Sequence, residues 1–214
     1  MTTLSTSPLS PLLARLFADA EAPPTAAVPA AVGSNALSKT DYRAFYMQMK
    51  DAYLAVSRET GALLYMLARS TRARAIVEFG ASFGISTLHL AAALRDNGGG
   101  RLITSEFEPS KAARARENFI AGGLSDLIEI REGDALQTLA HDLPEEIDLL
   151  LLDGAKGLYP AVLALVEKSL RPGALIVADN ADWSPEYLER VRSPAHGYMS
   201  VPFAGDVELS MRVG

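Results

Sequence analysis

Ile147-Asp148-Leu149-Leu150-Leu151-Leu152-Asp153-Gly154-Ala155-Lys156 is an aliphatic run interrupted by a single charge, which ends in an Asp-Gly turn and a lysine. Apolarity this continuous over so short a stretch marks a strand buried on both faces, at the centre of a parallel sheet. Outward from it the same texture recurs. Ala75–Phe79, Arg101–Ser105, Leu127–Ile130 and Ala174–Ala178 are short, β-rich apolar runs, and helical stretches lie between them near residues 85–95, 110–121, 135–140 and 158–170. Gly, Pro or Asn punctuates most junctions, as at Asn97–Gly100, Gly122–Gly123 and Pro172–Gly173. Strands alternating with helices require right-handed crossovers, and so predict an α/β fold with a parallel sheet covered by helices on both faces.

The ends of the chain depart from that rhythm. Pro185–Val191 reads as a helix, and Tyr198–Pro202 and Val207–Arg212 read as two strands about an Ala204-Gly205-Asp206 turn. A closing hairpin after five βα units is not what a dinucleotide dehydrogenase needs. It resembles the Rossmann-like sheet of class I methyltransferases, seven-stranded and mostly parallel with an antiparallel last strand. At the other end, residues 1–39 are rich in Ala, Pro, Ser and Thr. Leu12, Leu13, Leu16 and Phe17 recur there at helical spacing and predict a short amphipathic helix before a Pro/Ala linker. Thr40 or Asp41 is the expected cap of a helix containing Tyr42, Phe45, Met49, Tyr53 and Val56, and a second helix is expected around Gly61–Ala68. The predicted division is therefore an arm over 1–39 and one α/β domain over 40–214.

Composition narrows the function. The 214 residues are 49% hydrophobic and 21% charged, ample for a large core and incompatible with a disordered chain. Twenty-six acidic residues outweigh twenty basic ones, for a net charge of -6, which argues against a broad nucleic-acid-binding face. With no cysteine, disulfides, thiolate nucleophiles and cysteine-bound metals are excluded. No stretch has the ~20 apolar residues of a membrane span, and neither a signal nor a transit sequence is evident, so a cytoplasmic protein is expected.

Two half-sites emerge where strands end. Val77-Glu78-Phe79-Gly80-Ala81-Ser82-Phe83-Gly84 closes a strand and opens a helix, with Gly80 permitting a sharp turn. Ser82 stands where the dinucleotide fingerprint needs its central glycine, so the spacing suits a ligand without a pyrophosphate. The next strand ends at Ser105-Glu106, where a carboxylate would face a ribose. Gly133-Asp134-Ala135 follows the third strand, and Asp134 either accepts from an adenine amino group, caps the next helix, or does both. Glu78 lies beneath and would bind an ammonium group through loop amides or water. Together these suggest S-adenosyl-L-methionine. The fourth and fifth strands run into Asp153-Gly154-Ala155-Lys156 and Asp179-Asn180. Two carboxylates and an amide oxygen converging there are hard donors suited to Mg²⁺, or to another divalent ion such as Mn²⁺ or Ca²⁺. His89, His141 and His196 are scattered, which argues against a histidine metal site. Lys111, Arg114 and Arg116 read as the solvated side of a helix.

The stretch from about Ala55 to Gly214 resembles the cation-dependent O-methyltransferases, the family of catechol and caffeoyl-CoA O-methyltransferases. The resemblance rests on Val56-Ser57-Arg58-Glu59-Thr60-Gly61, Val77-Glu78-Phe79-Gly80, Gly133-Asp134-Ala135, Asp153-Gly154-Ala155-Lys156, Ala178-Asp179-Asn180 and the segment Pro185–Arg192. It implies that Asp153, Asp179 and Asn180 bind a divalent cation and that Lys156, with Asp153, is catalytic. It further implies that Val56, Glu78, Gly80, Ser86, Glu106, Asp134, Ala135 and Asp153 hold the cofactor. The expected activity is methyl transfer to a hydroxyl of a small phenolic, vicinal dihydroxy acceptor. A chelated Mg²⁺ would stabilise the oxyanion of a phenol whose pKa is otherwise about 10, and Lys156 would take the proton. Ala155 replaces the aromatic residue that walls the substrate pocket of catechol O-methyltransferase, so a wider pocket is expected, with Trp183 and Phe203 as candidate walls. The alternative within the family is methylation of 5-hydroxyuridine at the tRNA wobble position, which the acidic balance disfavours. A non-catalytic cofactor-binding module is a third reading, set against the intact Asp153, Lys156, Asp179 and Asn180. Many family members are dimers, so a homodimer is a further expectation.

Overall fold

A computed structural model describes residues 1–22, 42–203 and 205–214. The apolar runs become β1 (Ala75–Phe79), β2 (Arg101–Glu106), β3 (Ile128–Glu132), β4 (Ile147–Leu152), β5 (Leu170–Ala178), β6 (Tyr198–Phe203) and β7 (Val207–Arg212). They form one sheet in the order β3-β2-β1-β4-β5-β7-β6. Strands β1 to β5 pair in parallel, while β7 is antiparallel to both β5 and β6. The chain leaves β1 first toward β2 and β3, then crosses back to β4. The crevice at that reversal is where open α/β sheets bind ligands.

Alternation along the strands sends side chains into two cores. Ile76, Leu102, Leu149, Leu151 and Val177 pack under α1 (Leu9–Glu21), α3 (Arg58–Ser70), α4 (Ile85–Asp96) and α5 (Pro109–Ala121). Val77, Ile103, Leu150, Leu152 and Ile176 pack on the opposite face, under α6 (Ala135–Thr138), α7 (Tyr159–Val166) and α8 (Pro185–Arg192). The one charge of β4 is neutralised at the strand's other end, where Asp148 accepts from the Arg74 and Ala75 amides and pairs with Arg171 at 2.5 Å.

Three elements differ most from expectation. β5 begins at Leu170 rather than Ala174, because an irregularity opposite Ile147/Leu149 absorbs Pro172-Gly173 within the strand. The helix expected to run from Tyr42 through Val56 stops at Gln48, as α2 (Tyr42–Gln48). Its apolar residues serve different neighbours: Phe45 packs with Met49, Tyr53 stacks on Phe83 at 4.4 Å, and Val56 enters the main core. Ser57 then caps α3, its hydroxyl accepting from the Thr60 amide, so α3 starts ahead of the expected Gly61. The Pro/Ala linker and the Thr40 and Asp41 caps lie outside the described residues, as does Ala204 of the expected hairpin turn.

Helix α1 seats Leu9, Leu12, Leu13, Leu16 and Phe17 in the same core as Leu88 and Phe119. Thr3 anchors its start through a 2.5 Å hydroxyl bond to the Asp96 carboxylate. Leu16→Ala is accordingly expected to cost about 3 kcal/mol, the usual penalty for a cavity in a packed core, measurable by urea denaturation. No helix among the described residues is long and apolar enough to cross a membrane.

Candidate active site

Register alone assembles the site. Phe79 pairs with Leu152 and Leu152 with Ala178, so the residues that follow, Gly80, Asp153 and Asp179, stand side by side at the carboxyl edge. Backbone bonds carry the ladder into the loops: Asp153 N–H donates to Phe79 O at 2.8 Å and Asp179 N–H to Leu152 O at 2.9 Å. On the other side Phe79 pairs with Ser105 and Glu106 with Glu132, which aligns Glu106 and the Gly133-Asp134 turn. Gly80 has φ +103°, and a Cβ there would sit 2.5 Å from the Asp153 carbonyl oxygen. The absent side chain therefore lets two loops touch, in addition to giving the sharp turn.

A first cleft of about 630 Å³, counting its open mouth, runs from Asp153 over Gly80 to Glu106 and Asp134. Ala135 lines it too. Glu106 is held by two loop amides, Ser82 N–H at 2.7 Å and Glu108 N–H at 2.9 Å, and burial pushes its carboxyl above the usual range. Asp134 does cap α6, accepting from the Leu136 amide at 3.0 Å. Its other oxygen takes the Tyr42 hydroxyl at 3.1 Å and the Arg43 guanidinium. Glu78 lies wholly buried below, its oxygens accepting from the Ser86 and Thr87 hydroxyls at 2.6 and 2.5 Å. Ser86 faces a small adjoining cavity rather than the main cleft. Ser105 lines the first cleft, and its hydroxyl is buried without a hydrogen-bond partner.

Lys156 is buried at the start of a short helical turn, Lys156–Leu158. Its Nζ donates to Asp153 Oδ1 at 3.0 Å and to the Tyr159 hydroxyl at 2.9 Å. That hydroxyl in turn sits 2.8 Å from the carbonyls of Leu152 and Asp179, fastening the ends of β4 and β5 together. Asp153 and Asp179 follow the paired residues Leu152 and Ala178 and act on one another electrostatically. Burial raises both carboxyls, and Asp153's charge adds to the effect on Asp179, which is pushed up to about 7. Asn180 adopts φ +48° and donates its side-chain amide to Asp206, which leaves its amide oxygen free of that bond, and the residue lines the same cleft as Asp179. Two neighbouring carboxylates disfavour each other's charge, which the Lys156 ammonium only partly offsets, and two carboxylates with an amide oxygen have the chemistry of a hard divalent-ion site. The set holds only two acidic groups. Among the described residues no cluster of three or more His, Asp or Glu side chains is placed to hold a metal.

A second cleft opens on the far side of that pair. Val56, Leu63, Phe203 and Val207 give it apolar walls, and Asp179, Asn180 and Asp206 lie along it. Val56 thus stands in this cleft and not in the first. Of the two candidate aromatic walls, Phe203 lines it and Trp183 does not. His89 is a packed core residue, its Nδ1 2.8 Å from Ile85 O and its ring edge-on to Phe17.

The sequence reading missed several residues of this region. Tyr42, Tyr46 and Lys111 line the first cleft, and Tyr159 orients Lys156. Lys111, expected on a solvated face, is buried, and Arg114 lies over the Phe83 ring at 4.3 Å. Only Tyr159 carried a local signal, at i+3 from the lysine.

Solved structures with this architecture are class I, Rossmann-like methyltransferases. The O-methyltransferase TomG from Streptomyces achromogenes, in complex with SAM, superposes with a TM-score of 0.67 at 29% identity over 85% of this chain and 91% of its own. The O-methyltransferase from Bacillus cereus, with SAH, gives 0.67 at 25% identity over 85% and 94%. Residues 33–213 match the O-methyltransferase family model, and the chain belongs to that family. Among its relatives are a catechol O-methyltransferase of Niastella koreensis, 38% identical over 59% of this chain, and catechol O-methyltransferase B of Danio rerio, 32% identical over 72%. The chain spans under two thirds of these relatives' lengths, 58% and 61%.

Proposed function

We propose that this protein is an S-adenosylmethionine- and divalent-cation-dependent O-methyltransferase acting on a small vicinal dihydroxy aromatic acceptor. The observation that carries the reading is that Asp153 lines the first cleft and Asp179 the second, while the two carboxyls act on one another and the buried Lys156 Nζ lies 3.0 Å from Asp153. When bound, the cofactor supplies an electrophilic methyl group and the cation lowers the pKa of the hydroxyl that accepts it.

The rest falls to side chains. Glu106 receives ribose hydroxyls, Asp134 the adenine amino group, and the partnerless Ser105 hydroxyl a polar atom of the same ligand. Asp153, Asp179 and the Asn180 oxygen hold the cation, with Asn180 oriented by Asp206. Lys156, once its ammonium has released a proton to solvent, would take the proton of the acceptor hydroxyl, held at its post by Tyr159 and Asp153. The apolar walls at Val56, Leu63 and Phe203 flank the aromatic ring, fixing one hydroxyl toward the donor, an orientation advantage that adds to the electrostatic one.

The test is transfer of a radiolabelled methyl group to a panel of catechols, hydroxycinnamoyl thioesters and hypomodified tRNA, with Mg²⁺ or EDTA. Catechol methylation that EDTA abolishes and Mg²⁺ restores is the expected result. Full activity in chelator removes the cation from the reading, and transfer confined to tRNA replaces the acceptor.

A further inference from the structure

Lys111 is oddly placed for a lysine. It is the third residue of α5, which opens with Glu108 as cap and Pro109 at its first position. A cation in the first turn of a helix opposes the helix dipole. An ammonium taken from water also costs several kcal/mol unless charge compensates it. Yet Lys111 is only 3% exposed, and it lines the first cleft. Its stem does not carry the head group out to solvent, as lysine stems usually do.

What surrounds the ammonium explains the placement. Nζ lies 3.5 Å from the Ser82 hydroxyl and 5.2 Å from the centre of the Phe83 ring. Ser82, held at φ +47°, donates its backbone N–H to Glu106 Oε2. Ammonium, Ser82 and Glu106 carboxylate therefore form one connected group along the cleft wall. Burial works hardest against the charge on Lys111 and holds its pKa below the usual range, while Glu106, Glu108 and Asp51 attract the ammonium and Arg114 opposes it. From the carboxylate's side, burial disfavours the charge on Glu106 and Lys111 counters that effect.

We infer that Lys111 is a positioning residue of the cofactor cleft: through Ser82 and its own charge it holds the Glu106 carboxylate aimed at the ribose hydroxyls of an adenosyl ligand. This rests on the S-adenosylmethionine reading of the first cleft. Lys111 touches neither the methyl group nor the acceptor, so its removal should weaken cofactor binding rather than the transfer step.

Calorimetric titration with S-adenosylhomocysteine tests this on the parent, Lys111→Met, Lys111→Arg, Glu106→Gln and the Lys111→Met/Glu106→Gln pair. Lys111→Met is expected to weaken binding about tenfold, the scale of one charge pair near a protein surface. Lys111→Arg should stay within about threefold, since it keeps the charge. In the Glu106→Gln background the Lys111 change should cost less than about twofold, the non-additivity expected of coupled groups. A residue serving only to pack α5 would show its full loss in both backgrounds, and that result overturns the inference. So does parent-like binding by Lys111→Met. Should that variant fail to fold, Lys111→Gln makes the same comparison. A parent chain that binds no S-adenosylhomocysteine would instead overturn the cofactor reading itself.

Discussion

Asp153→Ala is expected to lower methyl transfer to a catechol by at least about a thousandfold and to destabilise the fold by about 3 kcal/mol. The two effects have separate causes. Asp153 is the partner of a lysine whose side chain is 9% exposed while its own is 10% exposed, so deletion strands an ammonium in a nearly dry site. Only the Tyr159 hydroxyl remains to it, and an uncompensated buried charge is what makes breaking such a pair costly. The kinetic loss comes from elsewhere. A proposed cation ligand disappears and the proposed base loses the contact that fixes it. Asp153→Asn separates the causes, because the amide keeps the shape and an oxygen for Lys156 while removing the charge. Its stability should lie closer to the parent, since repulsion with Asp179 is relieved as attraction to Lys156 is lost. Its activity should still fall about a hundredfold or more. Initial rates with saturating cofactor, beside urea unfolding of the same preparations, decide the matter. An Asp153→Ala enzyme within tenfold of the parent would place Asp153 outside the catalytic machinery.

The parts of this site that were legible in the sequence share one property: they sit one residue past a buried strand. Once Ala75–Phe79 and Ile147–Leu152 are strands of one parallel sheet, Gly80 and Asp153 must emerge at the same edge, and the 79–152–178 register brings Asp179 beside them. Nothing further is needed. The residues that escaped reading reach the site from elsewhere. Tyr42 and Arg43 arrive at Asp134 across about ninety positions of sequence, a contact that no local pattern encodes. Lys111 carries the periodicity of an exposed helix face, and only the loop at Ser82 folding over it makes that face interior. The overlong helix through Val56 failed for a related reason. Tyr53 and Val56 are spaced as on one helical stripe, yet Tyr53 stacks on Phe83 while Val56 joins the core beneath α3. Apolar spacing reports that residues are buried, not that they are buried together.

Divalent cations should stabilise this protein at pH 8 and scarcely at all at pH 5. Asp179 is held up to about 7, first by burial and then by the charge of Asp153, whereas an aspartate in the unfolded chain titrates near 3.9. The folded protein therefore binds this proton more tightly than the unfolded chain does. The stability so gained is fully present below about pH 4 and drains away as pH rises through 7. In EDTA Asp179's share of the loss between pH 5 and pH 8, read as parent minus Asp179→Asn, should be about 2 kcal/mol, roughly 5 °C in Tm for a chain of this size. Asp96 and Asp148 do not mask it, because their carboxyls are held below the usual range and act only in stronger acid. His89 acts in the opposite sense: burial holds its ring neutral, so stability rises as the pH passes its unfolded value. Asp179→Asn serves as the reference that cancels this contribution. A cation selects the ionised pair, and a ligand that binds only that form adds stability in proportion to its population. Millimolar Mg²⁺ should thus raise Tm by several degrees at pH 8 and by almost nothing at pH 5, with Asp179→Asn indifferent at both. Thermal unfolding of parent and variant across this range provides the comparison. A Mg²⁺ shift of equal size at the two pH values, or one that survives in Asp179→Asn, would mean that the ion binds somewhere other than between these carboxylates.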